Sequence, residues 1–171
     1  MAEPRLPDIA GSFRTGRGPR YRLRDDAPYP PPPPWFVNSL AEWVVYYWLT
    51  AVRRPRLRPV GPTQPPVRGR TFFYQVQVPN LGQFQSEVTR VDFLLPGFGA
   101  AGYEALAIDP VNRFTHPTPD LDLFKRASLA AQAGVQLIWI ETPRLEAGDF
   151  AVIAAALAGR DESGLALRGQ L

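Results

Sequence analysis

The chain has 171 residues, 45% of them hydrophobic, which is enough for one domain with a packed core and an extension. It has no cysteine and one histidine, His116, which excludes disulfides, cysteine-ligated zinc and multi-histidine metal sites and disfavours a Ser-His-Asp triad. The N-terminus lacks a signal-peptide apolar region, and the most apolar run, Trp43 to Leu49, is too short to span a bilayer. These features predict a protein of the virion or cytoplasm, without a membrane partner.

Charge is distributed unevenly along the chain. Residues 1–70 hold 12 arginines and 5 acidic residues, whereas residues 71–171 hold 7 basic and 11 acidic residues. This asymmetry predicts that the basic part faces an anionic partner. Arginine outnumbers lysine 18 to 1, which suits phosphate recognition, although a GC-rich genome produces the same bias.

Residues 1–34 are predicted to form an extended basic and proline-rich arm. Pro30 to Pro34 favour a stiff polyproline conformation, and the segment has too little apolar surface to fold alone. We expect the arm to contact either nucleic acid or other protein subunits, including copies of this chain. The candidate contact residues are Arg14, Arg17, Arg20, Arg22 and Arg24.

Residues 35–160 are predicted to form an α/β domain, followed by a tail at 161–171. A capping box at Ser39 and Glu42 begins a helix that runs to about Arg53 and is stopped by Pro55. A Pro/Arg-rich linker follows at 54–70. The remaining predicted elements are strands at 72–78, 88–95 and 104–108, a helix at 120–133, a strand at 135–140 and a helix at 147–158.

The predicted order is helix, three strands, helix, strand, helix. This order resembles the core of the PD-(D/E)XK nuclease-like superfamily. Five segments carry the resemblance: NSLAEWVVYYWLT (38–50), FFYQ (72–75), RVDFLLP (90–96), LAIDPVNRFTH (106–116) and RASLAAQAGVQLIWI (126–140). The resemblance covers about 120 residues and is greatest to very-short-patch-repair endonucleases and related small phage and bacterial proteins. It implies a nuclease-like α/β fold.

The resemblance also implies a set of site residues. Asp92, after a strand valine, matches the central metal ligand, Asp109 matches the next acidic position, and Glu42 matches a helix-borne glutamate near the metal. His116 matches a histidine downstream. Phosphodiester hydrolysis uses a divalent cation to stabilise charge and to activate water, and Mg²⁺ prefers such oxygen ligands.

The chain departs from the family pattern at three places. Val111 stands at the position of the lysine, Asn112 replaces a small glycine, and Pro110 is expected to interrupt the strand that would present the site. Lys125, the only lysine, lies on the following predicted helix and could substitute for the missing group.

Structural interpretations of the same residues remain open. Asp92 and Asp109 could make turn or cap hydrogen bonds at strand ends, Glu42 could serve only the capping box, and His116 could be a loop residue. The Trp/Tyr cluster of the first helix favours a core role over base stacking.

Two hypotheses follow. The first is a non-catalytic phage-type structural or virion assembly protein on a degenerate nuclease-like domain, tethered by its arm and needing no cofactor. The alternative is a Mg²⁺-dependent DNA endonuclease in which Asp92 and Asp109 hold the metal, assisted by Glu42, His116 and Lys125.

Overall fold

The computed structural model describes residues 29–78, 89–111 and 134–159. They form an α/β fold with a five-stranded mixed sheet and a few short helices. The elements are α1 (Leu40–Tyr47), continued by a π-helical turn (Trp48–Val52), β1 (Arg58–Pro59), β2 (Thr71–Val78), β3 (Thr89–Pro96), β4 (Ala105–Val111), β5 (Val135–Glu141), α2 (Thr142–Glu146) and α3 (Ala151–Leu157). Within those ranges, no helix is long and apolar enough to cross a membrane.

The strands lie side by side in the order in which they occur along the chain. β2, β3 and β4 pair antiparallel, whereas β1 is parallel to β2 and β5 is parallel to β4. Parallel neighbours need a crossover connection. The chain between β4 and β5, which contains the predicted helix at 120–133, lies outside the described residues.

The helix α1 begins as the capping pattern predicts. Ser39 is extended (φ −68°, ψ 155°), and its hydroxyl oxygen accepts the backbone N–H of Glu42 at 3.2 Å. Six of the eight residues of α1 are buried. The helix then widens into the π-helical turn, in which Arg53 N–H bonds to the Trp48 carbonyl at 2.9 Å, so helical structure ends next to the predicted Arg53 boundary.

The sheet separates two apolar clusters because strand residues alternate between its faces. Leu106 and Ile108 of β4 belong to the larger cluster, which also contains most of the buried residues of α1. Ala105 and Ala107 of the same strand belong to the smaller cluster, with Val135 and Leu137 of β5. β5 is therefore buried on both faces over most of its length, as its continuous apolar run predicts.

The prediction that Pro110 interrupts its strand is wrong. β4 continues through Pro110 to Val111, and Pro110 is in register with Ile140 of β5. The pairing of β4 with β3 ends at Ile108, opposite Phe93, so Pro110 lies beyond that ladder. Proline is tolerated where its nitrogen has no ladder bond to donate.

The predicted start of the last helix is also wrong. The chain makes two helices instead of one, because Gly148 takes a left-handed conformation (φ +74°) that ends the first. The Asp149 carboxylate then accepts the N–H of Ala151 at 3.1 Å, where α3 begins.

Tyr29, which the sequence assigned to the arm, is part of the main core. It is 7% exposed, its hydroxyl donates to the Leu145 carbonyl at 3.3 Å, and its ring packs edge-on against Phe150. The neighbouring Pro30 carbonyl accepts the indole N–H of Trp43 at 2.8 Å. The packed domain therefore includes Tyr29 and contacts the first residue of the proline run.

We expect Tyr29→Ala to lower the free energy of unfolding by about 3–5 kcal/mol, the usual cost of deleting a buried aromatic ring. Tyr29→Phe, which removes only one hydrogen bond, should cost about 1 kcal/mol. Val37→Ala is the control, because Val37 lies in the same segment and is 66% exposed. Urea denaturation of the full chain measures all three. Equal losses for Tyr29→Ala and Val37→Ala would contradict the packing of Tyr29.

Candidate functional site

Three acidic residues from distant parts of the chain meet near the middle of β3. Glu42 lies in the first turn of α1, Asp92 on β3 and Asp109 near the end of β4. Glu42 and Asp109 are buried, at 5% and 3% exposed, and Asp92 is partly buried. The structure therefore brings together all three acids that the sequence singled out.

Gln75 of β2 joins two of these acids. Its side-chain nitrogen donates to Glu42 Oε2 and, at 2.9 Å, to Asp92 Oδ1. An amide nitrogen carries two hydrogens, so one nitrogen can serve both carboxylates. Hydrogen bonds to ionised carboxylates are stronger than neutral ones, so this bridge ties α1 to the sheet.

The backbone of Gln75 is unusual. It has φ +54°, and it is the one described non-glycine residue in the left-handed region. The β2–β3 register passes from Tyr74↔Phe93 to Val76↔Val91, and Gln75 opposite Asp92 is not among the ladder partners. Such a conformation costs about 1–3 kcal/mol for a residue with a side chain, and it persists only where surrounding contacts hold it. Here the two carboxylates supply those contacts.

Asp109 contacts the site from β4, through the backbone of Asp92. Its Oδ1 accepts the backbone N–H of Asp92 at 2.8 Å. The side chain thus extends the β3–β4 pairing past Ile108, the last residue in register with β3. Asp109 holds the backbone that carries Asp92.

Glu42 makes the predicted helix cap and also joins the carboxylate cluster, whereas its role near a metal stays a prediction. Its backbone N–H bonds to Ser39 as part of the helix cap, and its Oε1 accepts the Ser39 hydroxyl at 2.9 Å. Its Oε2 accepts the Tyr74 hydroxyl at 2.7 Å as well as the Gln75 amide. Several donors therefore compensate the desolvation of this buried carboxylate.

Tyr74 contacts the carboxylate cluster through its hydroxyl, which donates to Glu42. Burial, and then the charge of Glu42, raise the pKa of the Tyr74 hydroxyl well above its usual value. Its ring lies in an aromatic group with Phe36, Tyr46 and Phe93, at centroid distances of 5.6, 5.7 and 5.1 Å. Tyr74 is therefore a neutral donor to Glu42 throughout the physiological range.

The arrangement does not suit a divalent cation as it stands. Mg²⁺ requires oxygen lone pairs directed at one point, but the Gln75 nitrogen, a donor, lies between Glu42 and Asp92. Among residues 29–78, 89–111 and 134–159, no group of three or more His, Cys, Asp or Glu side chains could hold a metal. Val111, at the lysine position, is an apolar residue only 5% exposed.

Several predicted site residues cannot be placed in this geometry. His116, Lys125 and the arm arginines Arg14, Arg17, Arg20, Arg22 and Arg24 lie outside the described residues. Their roles stay predictions.

Sequence reasoning missed Gln75 and Tyr74. Both lie in the FFYQ segment, which was interpreted only as a strand and as part of the family resemblance. No local signal marks the left-handed backbone of Gln75, because glutamine has no preference for that conformation.

No protein-family model, curated protein or solved structure matches this chain. The function therefore rests on the geometry of the site and on the residues of the chain.

We expect Gln75→Leu to lower the free energy of unfolding by about 2–3 kcal/mol, because it removes the donor from two carboxylates and leaves them facing each other. Gln64→Leu is the matched control, since Gln64 is exposed in a loop and should change stability by less than about 0.5 kcal/mol. Chemical denaturation at neutral pH measures both. A Gln75→Leu variant as stable as the control would show that the bridge does not hold α1 to the sheet.

Proposed function

We propose that this chain is a non-catalytic structural or assembly protein of phage type, built on a degenerate nuclease-like α/β domain. The observation that carries the proposal is the Gln75 amide between Glu42 and Asp92. The place at which a nuclease would hold its cation is occupied by a hydrogen-bond donor of the chain itself.

The topology supports the nuclease-like part of the proposal. An antiparallel meander (β2, β3, β4) is followed by a strand parallel to β4, and α1 contributes Glu42 to the same site. This is the arrangement that the resemblance leads one to expect. The phage-type part of the proposal rests on the resemblance to small phage proteins alone.

The loss of catalysis follows from the chemistry of the site. Hydrolysis of a phosphodiester needs a metal to stabilise charge and a group to activate water. The carboxylates of Glu42 and Asp92 are engaged by Gln75, and the lysine position is the buried Val111. Together these changes turn a catalytic cluster into a structural one that fastens α1 to the sheet.

The second candidate function is the Mg²⁺-dependent DNA endonuclease. The observation that favours it is the convergence of Glu42, Asp92 and Asp109 in one hydrogen-bonded network. Gln75 would have to leave the space between the carboxylates before a cation could bind there. His116 and Lys125 would then be the candidate proton-transfer and charge-stabilising groups.

We expect no cleavage of supercoiled plasmid by the purified chain in Mg²⁺ or Mn²⁺. Asp92→Asn is the control, because it keeps the shape of the side chain and removes its charge. Any cleavage that is identical in wild type and Asp92→Asn is contamination. Cleavage that Asp92→Asn abolishes would overturn the non-catalytic proposal and favour the endonuclease.

The arm is proposed to tether the domain to neighbouring subunits or to nucleic acid. Its arginines supply charge, and its proline run limits the free conformations of the chain, which lowers the entropy lost on docking. The assignment of the arm comes from the sequence.

We expect the full chain to form particles larger than a monomer and a chain lacking residues 1–28 to lose them. Multi-angle light scattering over a concentration series measures the mass. The truncation keeps Tyr29, so the core contacts with Phe150 and Leu145 remain. If both chains have the same mass at every concentration, the arm does not link subunits.

A further inference from the structure

The segment between α1 and β2 carries a second concentration of positive charge. Residues 53–70 contain six arginines and neither aspartate nor glutamate. A GC-rich genome accounts for arginine in place of lysine, but it does not account for the absence of acids. We call this segment the 53–70 basic surface; its arginines are Arg53, Arg54, Arg56, Arg58, Arg68 and Arg70.

The 53–70 basic surface, which overlaps the predicted Pro/Arg-rich linker at 54–70, bonds to the rest of the fold through its backbone. Leu57 is 2% exposed and its N–H bonds to the Leu49 carbonyl at 3.0 Å. β1 pairs with β2 in the register Arg58↔Thr71, and Gly69 N–H bonds to the Pro96 carbonyl at 2.8 Å. A surface that is already held in place loses little conformational entropy when a partner binds.

Three of the six arginines are engaged within the chain. Arg53 donates to the Pro55 carbonyl at 2.7 Å, and Arg54 donates to carbonyls at the end of the π-helical turn. Arg68 forms an ion pair with Glu104 at 3.0 Å, with both side chains largely exposed. These contacts leave the other three as the candidates for an external partner.

Arg56, Arg58 and Arg70 are exposed, and in the described part of the chain none of them forms an ion pair. Arg58 N–H bonds to the Arg70 carbonyl at 3.1 Å, so the backbones of these two residues are adjacent. In the register of β1 with β2 the partner of Arg58 is Thr71, so Arg70 lies one residue before that pair. The two arginines are therefore near each other in the backbone at the start of β2.

We propose that the 53–70 basic surface binds the phosphate backbone of a nucleic-acid duplex without regard to sequence. Guanidinium groups form paired hydrogen bonds with phosphate oxygens, and contacts of this kind position a duplex without reading its bases. Residues 53–70 themselves contain no aromatic side chain on which the bases of a single strand could stack, which favours a duplex.

The surface lies beside the start of β2, whereas the carboxylate cluster lies near the middle of β2 and β3. Thr71, next to Arg70, begins β2, and Gln75 follows four residues later, about 13 Å along the strand. Glu104, the partner of Arg68, immediately precedes β4, whereas Asp109 lies near its end. Binding of a duplex to this surface depends neither on the arm nor on whether the cluster cleaves DNA.

The test compares two variants of the full chain with equal charge changes. One carries Arg56→Gln, Arg58→Gln and Arg70→Gln, and the other carries Arg14→Gln, Arg17→Gln and Arg20→Gln. Fluorescence anisotropy with a labelled random-sequence DNA duplex gives the affinity over a salt series. For the surface variant we expect affinity to fall about tenfold or more at low salt, and the salt slope to become shallower by roughly 0.9 for each phosphate that is no longer neutralised.

The arm variant should lose less affinity than the surface variant. A third variant, with Arg56, Arg58 and Arg70 each changed to Lys, keeps the charge and should retain the wild-type salt slope; its thermal transition also checks folding. An unchanged slope in the surface glutamine variant, or an equal or larger loss in the arm variant, would overturn the proposal. Tighter binding to polyglutamate than to the duplex would also overturn it and point to an acidic protein partner.

Discussion

The side-chain amide of Gln75 donates to Glu42 on α1 and to Asp92 on β3, and this bridge joins the first helix to the middle of the sheet. The carboxylates of Glu42 and Asp92 accept from the same nitrogen and would repel each other without a donor between them. The donor reaches both while the backbone of Gln75 is in a left-handed conformation. The local cost of that conformation is offset by two charge-assisted hydrogen bonds.

The surroundings of the bridge explain why it is stable. Asp109 accepts from the backbone of Asp92, Ser39 and Tyr74 donate to Glu42, and aromatic rings pack around Tyr74. In a medium of lower polarity than water each of these hydrogen bonds strengthens, and an unpaired acid would be costly. The three acids therefore form one hydrogen-bonded network with Gln75 between two of them.

The fold separates positive and negative charge along its strands. The acids converge where β2 is past its middle and β4 is near its end, while the arginines of residues 53–70 cluster where β2 begins. The residues of the nuclease-like resemblance and the basic surface therefore lie at different positions along β2.

The sequence by itself determined the local elements of this protein. The Ser39–Glu42 cap, the apolar run of β5 and the aromatic and β-branched residues of β2 predicted their elements to within a residue or two, because caps and periodicity act over a few neighbouring residues. It also singled out Glu42, Asp92 and Asp109 through a resemblance in the order of segments. Composition identified 54–70 as rich in proline and arginine.

Only the tertiary structure decided what these residues do. The left-handed backbone of Gln75 depends on carboxylates 33 and 17 residues away in sequence, and no local pattern encodes them. Pro110 continues its strand because the β3 ladder has already ended, and Tyr29 is buried because Phe150 and Leu145 come from the far end of the chain. The segment predicted as a linker contains β1, which pairs with β2. In each case the deciding interaction is between residues far apart in sequence, which local propensity cannot report.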